Sequence, residues 1–225
     1  MAGVPRGDAA RASIVGAAER LFAERGIETV SLRDVSAAAG QRNHSAAQYH
    51  FGDRRGLVAA VYENRMRHVD VRRHAYLAAL DGAGRAGEVR GLVEANVVPL
   101  LDVVADADGW YARFIARMRW EPAAWDVVVS LSTSGSFRHV VRGLNRALSD
   151  LPPAVRRHRI DQMLTLTIGT IAGWEGAPGR GEKRLSRAQL ADDLVSTAVA
   201  LLLAPCESIE PLAISPQLDL TGATA

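Results

Sequence analysis

A short polar segment contains most of the residues whose chemistry points to a binding partner. Residues 41–50 read QRNHSAAQYH, and the donors and acceptors among them are Arg42, Asn43, His44, Ser45 and Gln48. Side chains of these types bind base edges and phosphate groups. Ala46 and Ala47 hardly provide the apolar stripe of a core helix, whereas small residues permit close backbone approach. We therefore expect this segment to contact nucleic acid.

Residues that could act in catalysis or metal binding form no recognisable site. The six histidines include no His-x-x-x-His pair of a helical metal site. Asp70 and His74 are one helical turn apart and could bind a metal, but a solvated ion pair is the simpler interpretation. The run GAPGRGEKR at 176–184 lacks the spacing of a phosphate-binding loop, and no Ser-His-acid arrangement is suggested. We expect no enzyme activity, no cofactor and no metal.

Positive charge is concentrated near the N-terminus. The chain of 225 residues has 27 Lys and Arg against 25 Asp and Glu. Through Ala75 there are 12 arginines and 8 acidic residues, a net charge of +4, so the remainder has a net charge of −2. A basic segment on a mildly acidic body suits a polyanionic partner for that segment alone.

Nothing in the sequence indicates a membrane or secreted protein. No uninterrupted apolar run reaches about 18 residues, and the N-terminus has no signal-peptide pattern. Cys206 is the single cysteine and cannot form an internal disulfide, which fits a reducing compartment. We expect a cytoplasmic protein without a membrane partner.

Apolar residues recur with a helical period almost everywhere, which predicts an all-α protein. The expected helices are 8–25, 32–39, 43–51, 54–80, 88–105, 110–119, 123–132, 136–149, 153–173 and 187–203. Ser31, Asp53 and Ser186 are the expected N-caps, and Gly26 and Gly40 the expected stops. We divide the chain into a head (1–56), a helical body (57–204) and a loose tail (205–225).

Two short helices separated by a glycine-containing turn occupy residues 31–51. In a helix-turn-helix the second helix enters the major groove of DNA while the first crosses the backbone. An ordinary αα-hairpin inside a helical protein would give the same pattern.

The sequence of this segment resembles the DNA-binding domain of the tetracycline-repressor (TetR) family. The resemblance lies in the runs GIETVSLRDVSAAAG (26–40) and YHFGDRRGL (49–57) and covers about residues 10–60. The matching positions are Ser31, Arg33, Asp34, Val35, Ala39, Gly40, Tyr49, His50, Phe51, Gly52 and Leu57. The rest of the chain matches in length and helical character.

The resemblance implies a role for each polar residue of the head. Ser31 and Arg33 are expected to hold phosphate at one side of the groove, and Tyr49, His50 and Arg54 at the other. The residues expected at base edges are Arg42, His44, Ser45 and Gln48. His50 could instead pack between helices, and Tyr49 could be a partly buried ring.

The turn departs from the family pattern. Eight residues, QRNHSAAQ, lie between Gly40 and Tyr49, where family members usually have seven. We expect the extra residue to lengthen the turn and Asn43 to become the N-cap of the recognition helix, since Asn caps as well as Ser does. Arg54 stands where the family usually has Lys.

Aromatic residues are scarce except in one part of the body. The cluster consists of Trp110, Tyr111, Phe114, Trp120 and Trp125, with Met118 among them, and it is interleaved with Arg113, Arg117 and Arg119. Such a set could line an apolar ligand pocket with a charged mouth, although ordinary core packing gives the same pattern. The expected ligand is a mainly apolar or aromatic small molecule that can bear a negative charge.

The resemblance also implies a homodimer. Family members pair their last two helices across a twofold axis, and the apolar stretches 160–174 and 190–204 suit that role, although both could be intramolecular core. The sequence thus predicts a ligand-responsive regulator, most simply a repressor, that binds a palindromic operator as a dimer and is released by its effector. The alternatives are a transcriptional activator and a helical ligand- or partner-binding protein that does not bind an operator.

Overall fold

The computed structural model describes residues 6–105, 109–121, 124, 126, 135–176 and 185–206. These residues form helices joined by turns, without a strand, as the apolar period predicts. The helices are α1 (Arg6–Arg25), α2 (Leu32–Ala38), α3 (Ala46–Phe51), α4 (Arg54–Gly82), α5 (Val89–Ala105), α6 (Tyr111–Trp120), α7 (Gly135–Ala147), α8 (Pro153–Glu175) and α9 (Arg187–Leu203).

The head is built from α1–α3, which pack against the first turns of α4. Its core includes Phe22, Val35 and Leu57, all completely buried. Gly26 and Gly40 end α1 and α2 with φ angles of 92° and 67°, a region that glycine adopts without strain. After α2 the amide of Gly40 donates to the Ala37 carbonyl and that of Gln41 to the Ser36 carbonyl, which is a Schellman ending.

Helix α4 connects the head to the body. It has 29 residues, a length of about 43 Å at 1.5 Å per residue. Its N-cap is Asp53, whose carboxylate accepts the amide hydrogen of Gly56 at 2.7 Å. Buried side chains occur from Leu57 to Leu80, so α4 contributes to both cores.

The body contains the remainder of α4 and α5–α9. Helix α5 packs between α4 and α9, while α6 packs against α1 on one side and α8 on the other. Helix α6 therefore connects the head to the C-terminal helices of the body. Ser186 is the N-cap of α9, as predicted, and it forms a capping box with Gln189.

Two expectations lie largely outside the described residues. Of the helix expected at 123–132, only Ala124 and Asp126 are described, and of the tail only Pro205 and Cys206. Across the described parts of the chain, no helix is both long and apolar enough to span a bilayer.

Candidate DNA interface

Ser36 fixes helix α3 against helix α2. Its side chain is buried, and its hydroxyl donates to the Leu32 carbonyl and accepts the amide hydrogen of Ala47, both at 3.0 Å. Ala46 and Ala47 are also buried, so α3 faces α2 with side chains that end at Cβ. No sequence pattern singled out Ser36, although a serine inside a short helix that is followed by a helix beginning with two alanines was a usable signal.

The turn between α2 and α3 differs from the expected one. Asn43 does not cap α3: the helix begins at Ala46 and its N-cap is Ser45, which makes no side-chain capping bond. The Asn43 side chain instead accepts the Ser45 amide hydrogen at 2.9 Å, and its carbonyl accepts that of Ala46 at 3.0 Å. The prediction that Asn43 is the N-cap was wrong by two positions, because its side chain stabilises a local turn that precedes the helix.

The outer surface of α3 and its preceding turn is polar and accessible. Its exposed side chains are those of Arg42, Asn43, His44, Ser45, Gln48 and Tyr49. Tyr49 is 84% exposed, so it is not the partly buried ring that was the alternative interpretation. His50 is half-buried and meets the Tyr49 ring edge-on, with the ring centroids 5.2 Å apart.

The N-terminus of α2 is closed by its own capping box. Ser31 accepts the Asp34 amide hydrogen at 3.1 Å and donates its hydroxyl to the Asp34 carboxylate at 2.6 Å. The Ser31 backbone amide also donates to this carboxylate at 3.1 Å, and the two bonds that the carboxylate accepts from Ser31 hold the pKa of the Asp34 carboxyl below its usual value. The next residue, Arg33, is exposed and forms no hydrogen bond or ion pair with any residue that the structure describes.

Arg54 has partners inside the head. Its Nη1 lies 2.9 Å from a Glu28 carboxylate oxygen, and its Nη2 donates to the Val30 carbonyl at 3.2 Å. The Arg54 side chain is 39% exposed, which leaves an accessible edge, but its main interactions connect α4 to the turn before α2.

Family models match both parts of this architecture. Residues 14–61 match the model for bacterial regulatory proteins of the tetR family, and residues 94–204 match the model for the tetracyclin repressor-like C-terminal domain. The chain belongs to the TetR family. A comparison with curated proteins found no match.

Solved structures of TetR-family regulators share the fold. A protein from a Rhodococcus species, with a TM-score of 0.50 and 19% identity, is matched over 99% of its chain and 87% of this one. A protein from Mesorhizobium loti has a TM-score of 0.50 and 16% identity over 98% of its chain and 88% of this one. PfmR from Thermus thermophilus has a TM-score of 0.54 and 14% identity over 97% of its chain and 88% of this one.

Family membership makes this chain a DNA-binding transcriptional regulator with a helix-turn-helix head and a ligand-binding type of body. Proteins of the TetR family generally act by binding rather than by catalysis.

The pair Asp70 and His74 has a carboxylate-to-imidazole distance of 3.7 Å, and Asp70 also accepts a hydrogen bond from Ser136. The Asp70 carboxylate and the His74 imidazole therefore both interact with residues of the same chain.

The aromatic set expected to line a ligand pocket is divided between two faces of α6. Tyr111, Phe114 and Met118 are completely buried in the protein core. Phe114 lies against Phe22 of α1, with ring centroids 6.1 Å apart, and the Tyr111 hydroxyl donates to the Tyr62 carbonyl at 3.2 Å. These three side chains contribute to the junction of the TetR-family head and body.

Trp110 and Trp120 lie on the other face of α6. They line a surface groove of about 610 Å³, whose walls also include Arg113, Arg117 and Gly173. Arg113 covers the Trp110 ring at 4.1 Å from its centroid, and Trp120 is 76% exposed. The structure does not bring the five described residues of the expected set into one pocket, and the sixth, Trp125, lies outside the described residues.

Two carboxylates hold the ends of α6. Glu175 of α8 accepts the amide hydrogens of Ala112 and Arg113 at 3.1 and 2.9 Å, and burial raises the pKa of the Glu175 carboxyl. After the other end of α6, Glu121 accepts the amide hydrogen of Ile27 in the head at 3.2 Å. A displacement of α6 relative to α8 would therefore be transmitted to the turn between α1 and α2.

Proposed function

We propose that this chain is a homodimeric, ligand-responsive transcriptional repressor that binds a palindromic operator. The observation that carries the proposal is the exposed polar face of α3 and its preceding turn, which Ser36 holds at a fixed angle to α2. A helix placed in this way can enter the major groove, where donors and acceptors identify the base pairs. The basic head supplies attraction to the phosphates.

Within this proposal the exposed side chains have separate roles. Gln48 and the turn residues Arg42, His44 and Ser45 read base edges, and Asn43 shapes the turn that presents them. Tyr49, His50 and Arg33 contact phosphate. Arg54 and Ser31 mainly maintain the geometry of the head, since their side chains already have partners there.

An operator-binding measurement tests the proposal. Binding to the DNA upstream of the protein's own gene is followed by gel shift from low to physiological salt. The wild-type affinity should fall steeply as salt increases, because each phosphate contact releases counterions. Arg33→Ala should weaken binding and reduce the slope of log affinity against log salt by about 1.

The matched control is Arg20→Ala, which removes the same charge from an exposed position of α1. It should leave the slope within error of the wild-type value. Tyr49→Ala should weaken binding without loss of helical content. Absence of binding to any duplex at low salt would remove the regulator function and favour a helical partner-binding protein.

Two C-terminal helices offer a surface for a second copy of the chain. On α8, Gly169 and Gly173 are exposed, and a Cβ added at either would meet no atom within 4 Å. The exposed positions of α9 include Ser196, Ala200 and Leu203. Small side chains permit helices to approach closely, so these faces suit a twofold four-helix bundle. Such a dimer would place two heads at adjacent major grooves, about 34–36 Å apart.

Release by an effector requires a connection from the body to the head, and α6 supplies one. Its two terminal hydrogen bonds and the contact between Phe22 and Phe114 join α8 to α1. An effector that binds one arrangement of α6 more tightly than the other would shift the spacing of the heads. Activation instead of repression would use the same contacts, and a reporter assay with and without the protein decides between them. We place the protein in the cytoplasm, where its operator is.

A further inference from the structure

Arg73 of α4 is a buried cation within the body. Its side chain is 3% exposed, and it is the single buried Lys or Arg among the residues that the structure describes. A buried charge is costly unless it is paired and hydrogen-bonded. The two buried carboxylates meet this condition: Glu19 pairs with Arg65 at 3.1 Å, and Glu175 accepts two backbone amide hydrogens.

Arg73 does not meet the condition that a buried charge is paired and fully hydrogen-bonded. Its Nε donates to the Ala95 carbonyl of α5 at 3.2 Å, but its Nη1 is buried without a hydrogen-bond partner. The guanidinium also lies 5.7 Å from the centroid of the Phe137 ring, which attracts a cation but offers no oxygen acceptor. A guanidinium has five donors in a planar fork, so most of its binding capacity is unused.

No carboxylate of the described residues pairs with Arg73. The nearest acidic residue along α4, Asp70, accepts the hydroxyl hydrogen of Ser136 and has the imidazole of His74 at 3.7 Å. Burial lowers the pKa of Arg73, and the charge of Asp70 opposes this shift only in part. The anion that would balance Arg73 is therefore missing from this part of the chain.

The surroundings of Arg73 are apolar apart from a few polar groups. The adjacent helix α5 contributes mostly aliphatic side chains to the core, such as Leu92 and Val93. An apolar interior with one underused cation suits a small ligand with a single charged end.

We propose that Arg73 is the anion-binding residue of the effector site and that the effector is an organic monocarboxylate with an apolar remainder. The carboxylate would accept two parallel N–H bonds from the guanidinium, and the apolar part would lie among α4, α5 and α7. A phosphate ester is disfavoured because its second charge would need another buried cation. The inference rests on the proposed ligand-responsive function, and it places the site away from the groove at Trp110 and Trp120.

Thermal-shift measurements on the full chain test the proposal without DNA. The probes are octanoate and 3-phenylpropanoate, each compared with the alcohol of the same carbon skeleton. At least one carboxylate should raise the melting temperature of the wild-type protein in a saturable manner, whereas its alcohol should have little effect. No stabilisation by either carboxylate, or equal stabilisation by acid and alcohol, would overturn the proposal.

Substitutions then assign the effect to Arg73. Arg73→Met should weaken carboxylate binding by about 10- to 100-fold, the usual loss for hydrogen bonds to a charged group. Arg67→Met removes an exposed arginine from the same helix and should bind as the wild type does. Unchanged carboxylate binding by Arg73→Met would overturn the proposal. If Arg73→Met does not fold, Arg73→Lys, which keeps the charge but loses the fork, provides the comparison by isothermal titration.

The outcome for this site is separable from that for operator binding. Carboxylate binding that depends on Arg73 in a protein that ignores DNA would support the site and reject the regulator function. Operator binding by a protein that no probe carboxylate stabilises would support the regulator function and reject the carboxylate site.

Discussion

Ser36 shows how much a single side chain contributes to the geometry of the head. One hydroxyl both donates and accepts, and the amide that it satisfies belongs to the recognition helix eleven residues later. The buried amide of Ala47 has no other acceptor in the described contacts, so the angle between α2 and α3 depends on this oxygen. An unpaired buried amide costs about 1–3 kcal/mol.

Replacement of Ser36 tests this dependence. Ser36→Ala should lower the free energy of unfolding by about 1–3 kcal/mol, because the Ala47 amide is left without its acceptor. Urea denaturation followed by circular dichroism measures the change. Ser13→Ala is the matched control, since Ser13 also donates to a backbone carbonyl, that of Ala39, but from an exposed position. Equal losses in the two variants would contradict the special role of Ser36.

At the scale of elements, the turn between α3 and α4 sets the position of the recognition helix. Gly52 adopts a φ of 77°, and Asp53 then caps α4. Gly56 follows in the first turn of α4, where the Phe51 carbonyl oxygen occupies the space that a Cβ would need. The obstacle is backbone rather than a flexible side chain, so a rotamer change cannot remove it.

Gly56→Ala should therefore destabilise the protein, by about 1–3 kcal/mol, because the clash forces a backbone shift and disturbs the hydrogen bond from the Gly56 amide to Asp53. Differential scanning calorimetry measures the change in the free energy of unfolding. Gly16→Ala is the control: Gly16 lies in the middle of α1 with open space at its Cβ, and alanine there should stabilise by about 0.5–1 kcal/mol. A stable Gly56→Ala protein would show that this turn is more adaptable than its geometry implies.

At the scale of the whole molecule, one set of helices connects the helix-turn-helix head with the surfaces proposed for ligand response and dimerisation. Helix α8 presents exposed glycines outward, contributes Glu175 to the N-terminus of α6, and through α6 reaches the head. A second copy packed on α8 and α9 would thus support the same helix that, in the proposed function, transmits the effector signal.

The proposed dimer can be disrupted at one point on this surface. Gly173→Glu should convert the wild-type dimer to a monomer, because a charged side chain in place of a hydrogen atom prevents close helix approach. Multi-angle light scattering during size-exclusion chromatography at micromolar concentration measures the mass. Gly16→Glu makes the same substitution at an exposed helical glycine of the head and should remain dimeric. A wild-type monomer, or a dimeric Gly173→Glu protein, would contradict this interface.

The sequence by itself determined the helical class, most helix boundaries, the caps and the identity of the head. These features depend on local rules: a 3.6-residue period, glycines that accept positive φ, and side chains that reach amides three residues away. Ser31, Asp53 and Gly40 could be assigned because the atoms that they bind lie within a few residues. The family resemblance then added roles for polar side chains that composition alone could not rank.

Only the tertiary structure decided which residues meet across the molecule. It connected Ser36 to Ala47, moved the start of α3 from Asn43 to Ala46, and paired Arg54 with Glu28. It also divided the aromatic cluster of α6 between a buried junction and an open groove. Among the residues that the structure describes, it left Arg73 enclosed without a paired anion. Burial and pairing of this kind depend on where helices far apart in the chain pack against each other, which no local pattern specifies. The polar segment 41–50 could be recognised from its composition, whereas the angle at which it is presented comes from the packing of α3 on α2.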